Sequence, residues 1–75
     1  MVKIHVNKHL VEVSENPASG AQILKAAGYD PAGYDLFELQ GEGDPSGGKK
    51  IGPDTEVELK DGDHFRAVPN NVTFG

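Results

Sequence analysis

Cysteine is absent from the chain. Its absence excludes disulfide staples, cysteine-ligated zinc, iron–sulfur clusters and any thiol nucleophile of the protein's own. Basic residues are scarce: 7 Lys and Arg stand against 12 Asp and Glu, a formal net charge of −5. A chain of that sign is repelled by phosphate, so no nucleic-acid and no membrane partner is expected. No apolar run approaches the ~20 residues of a membrane span. No charged-then-hydrophobic leader opens the chain either, and a cytoplasmic location is the expectation. With 75 residues there is room for one small domain and a thin core. A regular hydrogen-bonded scaffold must supply the rest.

What is present is periodicity. In "VKIHV", Val2, Ile4 and Val6 point one way and Lys3 and His5 the other. "HLVEV" alternates likewise, and only Asn7-Lys8 separates the two runs, which reads as a β-hairpin. A two-residue turn sets Val6 opposite His9, Ile4 opposite Val11 and Lys3 opposite Glu12. Lys8 suits the second turn position poorly, so a longer turn or a bulge stays open. Then the period changes: Gly20, Ile23, Leu24 and Ala27 follow helical spacing. Ser19 and Gln22 fit a capping box, Gly28 suits the left-handed position after the helix, and Pro31 blocks continuation. So short a helix is unstable alone and must lie on the sheet.

Two further strands and a short element between them follow. "YDLFELQ" places Phe37 and Leu39 toward the helix and Leu36 and Glu38 outside, with the opposite phase open. "IGPDTEVELKDGD" offers Ile51, Val57 and Leu59 to the core and ends in an Asp61-Gly62 turn. "HFRAV" closes the domain with Phe65 and Ala67 inward and His64, Arg66 and Val68 outward. The order fits one mixed sheet of four to five strands with a helix across one face. First and last strands pair in parallel at its centre, an α+β class fold of the β-grasp arrangement. Residues 1–69 form this domain and residues 70–75 a flexible C-terminal tail.

Catalytic and cofactor motifs fare badly. "GDPSGGK" from Gly43 to Lys49 imitates a phosphate-binding loop, but Lys50 occupies the required hydroxyl position and "IGPD" cannot start a helix at once. Three histidines lack metal-site spacing, and the register puts His5 and His9 on opposite faces, so no metal is expected. Asp54, Glu56, Glu58, Asp61 and Asp63 read as a solvated acidic face. The chain is expected to be neither an enzyme nor a cofactor carrier. A sheet with one helix leaves its second face bare, and His5, Leu10, Leu36, Arg66 and Val68 are assigned there as a partner-binding surface.

The tail suggests a different chemistry. Proline cannot donate to a sheet interior, so the last strand ends near Val68 or Pro69 and six residues project beyond it. Gly75 has no side chain, so its carboxylate can thread a narrow channel and meet ATP or a cysteine nucleophile unobstructed. The segments "KIHVNKHLVEV", "ILKAAGYDPAGYDLFEL" and "IGPDTEVELKDGDHFRAV", with the glycine end, resemble bacterial ubiquitin-like proteins of the multiubiquitin type. That resemblance implies an E1-like activating enzyme, an E2-like conjugating enzyme, a JAB-type metalloprotease and an unknown target protein as partners. It also implies conjugation through Gly75, recognition of Val72, Thr73 and Phe74 as the tail, and a role in antiphage defence. The end is Phe-Gly, not Gly-Gly, and lacks arginines, so the activating enzyme must read it differently from a eukaryotic one. Alternatives are a sulfur carrier bearing a C-terminal thiocarboxylate and a non-conjugated interaction module. Lys3, Lys8, Lys25, Lys49, Lys50 and Lys60 are all open as acceptors of a second copy.

Overall fold

The computed structural model describes residues 1–40 and 48–70. Along the chain run β1 (Val2–Val6), β2 (His9–Val13), β3 (Ala18–Ser19), α1 (Gly20–Ala26), β4 (Tyr34–Leu39), β5 (Lys49–Ile51), β6 (Glu56–Val57) and β7 (His64–Pro69). Five strands form one mixed sheet in the order β2-β1-β7-β4-β5, with α1 on one face. β1 and β7 lie parallel near the centre, with β7 flanked by β1 and β4, and the remaining pairings are antiparallel. This is the β-grasp arrangement. β3 and β6 form a separate two-stranded sheet that the sequence pattern did not reveal.

The hairpin register is the expected one: Val6 opposite His9, Ile4 opposite Val11 and Lys3 opposite Glu12. Asn7 at φ 53° and Lys8 at φ 69° make the two-residue turn, so Lys8 accepts a left-handed backbone and no bulge is needed. The turn is anchored by Asn7, whose side chain continues the β1–β7 ladder. That ladder runs through His5 N–H to Asp63 O (2.8 Å) and Asn7 N–H to Phe65 O (3.0 Å). Its next rung would bring the Ala67 N–H to the Asn7 carbonyl, but the backbone has already turned away. Instead Asn7 Oδ1 accepts from Ala67 N–H at 3.0 Å and Nδ2 donates to Ala67 O at 3.1 Å. Nδ2 also lies 3.0 Å from the Tyr29 hydroxyl, which links the rung to the loop after α1.

The helix obeys its local signals. Ser19 Oγ accepts from Gln22 N–H and Ser19 N–H donates to Gln22 Oε1, the reciprocal capping box. At the other end Tyr29 N–H reaches Leu24 O and Gly28 N–H reaches Lys25 O, with Gly28 at φ 89°. Those two bonds define a Schellman stop. Gly20 is required for another reason: a Cβ there would collide with the Gly52 carbonyl oxygen. Ile23 and Leu24 thereby settle among Ile4, Val6, Leu36 and Phe65, all buried. A second asparagine, Asn16, brackets Leu59 as Asn7 brackets Ala67, accepting from its N–H at 2.9 Å and donating to its carbonyl at 3.0 Å.

One strand differs from its expected phase. Leu36 is 1% exposed, opposite Ala67 on one side and Ile51 on the other, while Phe37 and Leu39 lie half-buried on the outer face. Both phases of β4 carry apolar residues, and the inward one includes Glu38. The seven residues of α1 span about 10 Å, whereas the six of β4 span about 20 Å. So short a helix cannot cover the whole strand, and an acid in the inward phase is tolerated. Leu36 is therefore a core residue and not part of the docking surface.

Asn7→Gly keeps the left-handed turn but removes the carboxamide. It is expected to cost about 2 kcal/mol in chemical denaturation, since Ala67 N–H loses its partner in a part-buried place. A loss under about 0.5 kcal/mol would show that the carboxamide does not hold the strands together.

Candidate docking face and tail root

The face of the sheet away from α1 is set by strand alternation and register. His5 pairs with His64 across β1 and β7, and Leu10 pairs with His5 across β2 and β1. On the other side Leu39 stands opposite His64, Phe37 opposite Arg66 and Asp35 opposite Val68. These partners share the outer face because directly opposed residues point the same way. His5, Leu10, Arg66 and Val68 are thus brought together as expected, and Phe37, Leu39 and His64 join them. The sequence signal for Phe37 and Leu39 was the open alternative phase of β4. Leu36 lies on the opposite face, in the core.

Geometry makes this face a mixed apolar, aromatic and cationic surface. The His5 and His64 rings stack with centroids 4.7 Å apart and planes 14° from parallel. His5 Nδ1 is buried with no hydrogen-bond partner among the described residues. Leu10 is 61% exposed. Arg66 is exposed beside Phe37, and Lys50 forms an ion pair with Asp35 at 3.8 Å near the β5 edge. That pair is largely solvated and adds little stability. Aromatic residues and arginine are enriched at protein interfaces, whereas lysine and acids are depleted. The centre of the face has that composition.

Strand β7 ends at Pro69. Tyr34 stands opposite Pro69, and the next residue is tied down: Asn70 N–H donates to Gly33 O at 3.0 Å and Asn70 Nδ2 to Ala32 O at 3.1 Å. These bonds set the root of the tail against the loop before β4. A cavity of ≈ 320 Å³ adjoins it, lined among others by Leu24, Tyr34, Leu36, Ile51 and Asn70. Val72, Thr73, Phe74 and Gly75 lie outside the described residues. So does most of the glycine run before Lys49. The described part, Lys49–Ile51, is a strand paired with β4, not the start of a helix. His5 and His9 are on opposite faces, and among the described residues no group of three or more His, Asp or Glu is placed to hold a metal ion. Among the same residues, no helix is long and apolar enough to cross a membrane.

The division between core and face is measurable. Leu36→Ala is expected to destabilise the domain by about 3 kcal/mol, and Leu10→Ala to change it by less than about 0.5 kcal/mol. Equal costs in urea titrations of the two variants would contradict the observed phase of β4.

No significant similarity was found to a curated protein or to a solved structure. The family model described as Multiubiquitin, by contrast, matches residues 2–69, from the first residue of β1 to the last of β7. On that match, which spans the five-stranded sheet, the helix and the outer face, the chain belongs to the Multiubiquitin family.

Proposed function

We propose that this chain is a ubiquitin-like protein modifier, joined to targets through the carboxylate of Gly75. The observation that carries the reading is the Multiubiquitin match over the whole β-grasp domain. The tail root agrees with it: β7 ends at Pro69, and Asn70 holds the chain where the last residues depart. The domain then acts as handle and address, and partner enzymes supply the chemistry.

A carboxylate is inert toward amines, so the steps run through activation. The Gly75 carboxylate attacks the α-phosphorus of ATP in an E1-like enzyme, and pyrophosphate leaves. A cysteine thiolate of that enzyme attacks the acyl-adenylate carbonyl, expelling AMP and forming a thioester. Exchange to an E2-like cysteine and attack by a target amine then yield an amide bond and a free thiol. Glycine serves because it leaves the carbonyl unscreened in a narrow channel, with Val72, Thr73 and Phe74 as the segment read by the activating enzyme. Where the glycine is followed by more chain, a JAB-type metalloprotease would release the carboxylate. In this reading the protein acts in the cytoplasm, where ATP and reduced thiols are available, and brings no catalytic residue or cofactor of its own.

The outer face serves as the recognition surface in this reading. His5, Leu10, Phe37, Arg66 and Val68 would rest on the activating and conjugating enzymes while the tail reaches the cysteine. With ATP and the cognate activating enzyme, the protein is expected to give a thioester band that reductant removes. A chain lacking Gly75 gives none, and Arg66→Glu slows its formation about tenfold without altering the folded state, the loss of one interface anchor. A band that persists without Gly75 would overturn the reading. So would a mass gain of about 16 Da, the exchange of oxygen for sulfur in a thiocarboxylate.

A further inference from the structure

The five-stranded sheet has two edges, and they are built differently. β5 is three residues long, carries Lys49 and Lys50, and has its lysine paired with Asp35. Short strands and lysines are the usual protection against unwanted strand pairing. β2 is five residues long, with no lysine and no proline, and its Leu10 is the exposed one.

The backbone groups left open on β2 follow from the register. Lys3, His5 and Asn7 turn their backbone groups toward β7, through Gly62 N–H to Lys3 O (2.8 Å), His5 N–H to Asp63 O and Asn7 N–H to Phe65 O. The even residues Val2, Ile4 and Val6 therefore bond β2, through their partners Val13, Val11 and His9. That leaves the N–H and C=O of Leu10 and Glu12 directed away from the sheet. On the outer side of this edge stand the Leu10 and Glu12 side chains, and Glu12 forms no ion pair among the described residues. On the inner side lie half-buried Val11 and an open trough of ≈ 390 Å³ lined by Glu15, Gln22, Lys25 and Ala26 of the β2 exit and α1.

We propose that the β2 edge is a docking site for an extended partner peptide that adds a sixth strand. Its backbone pairs with Leu10 and Glu12. Its outward side chains alternate apolar against Leu10 and basic against Glu12, and its inward ones are small and apolar beside Val11 and Ala26. Main-chain bonds give the affinity and the alternate side chains the specificity. The acidic chain, with Glu12 and Glu15 flanking the edge, selects basic over acidic partners. This edge adjoins the outer face used in the functional reading and shares Leu10 with it, and it stands whether or not Gly75 is conjugated.

The probe is the synthetic peptide acetyl-Lys-Val-Leu-Val-Lys-Val-amide, which presents a lysine near Glu12 in either strand direction. Titrated into the ¹⁵N-labelled protein, it is expected to shift the Leu10 and Glu12 amides saturably. N-methylation of the Val amides or of the Lys and Leu amides, whichever set faces β2, abolishes the effect. Glu12→Pro removes an outward N–H and no bond to β1, and should bind about tenfold more weakly while remaining folded. If proline disturbs the strand, the pair of N-methylated peptides decides alone. The proposal is overturned by no shift at millimolar peptide, by equal binding of both methylated peptides, or by shifts centred on Phe37 and Arg66. Concentration-dependent shifts of Leu10 and Glu12 without peptide would assign the edge to a second copy and also overturn it.

Discussion

The parallel pairing of β1 with β7 is the constraint on which the rest of the molecule depends. It joins the two ends of the domain, and no short turn can make such a contact. The pairing is brief, His5 with His64 and Val6 with Phe65, because β1 must turn into the hairpin after Val6. Asn7 resolves that conflict. One residue supplies the left-handed backbone that the turn needs and, through its carboxamide, the two hydrogen bonds Ala67 would otherwise lack. Asparagine is among the few residues that can do both, since it tolerates positive φ and carries both donor and acceptor.

From that pairing follow the two features on which the proposed function draws. β7 lies between β1 and β4, so its outward residues His64, Arg66 and Val68 form the central row of the bare face. At its end, Asn70 is held against the loop that precedes β4. The face that would meet an enzyme and the segment that would enter its channel are therefore carried by one strand. A partner that grips the face positions the tail root as well. Among the described residues neither edge of the sheet is paired, and their unequal protection separates a guarded β5 from β2.

Much of this was legible because local and global preferences agree. The hairpin register followed from two alternating runs and a two-residue gap, and the helix from its capping box, its apolar stripe and Gly28. What was not legible depended on contacts distant in sequence. In "YDLFEL" both faces are apolar enough for the core, so only the short reach of α1 and the partners Ala67 and Ile51 decide that Leu36 is buried. The β3–β6 pair is two residues on each side, too short to leave a periodic signal. Asn7 and Asn16 look like turn residues in sequence, yet each also completes backbone bonding far along the chain, to Ala67 and Leu59. Of the five residues expected on the outer side of the sheet, His5, Leu10, Arg66 and Val68 lie there and Leu36 does not, for the same reason: alternation is local, and strand phase is not.

Amide hydrogen exchange reads the central constraint most directly. If the Asn7 carboxamide completes the ladder, Ala67 N–H exchanges as slowly as the neighbouring ladder amides of His5 and Asn7, while Leu10 and Glu12 on the open edge exchange fast. Exchange of Ala67 at the rate of Leu10 and Glu12 would contradict the account. It would mean that β7, and with it the docking face and the tail root, is not fixed by β1.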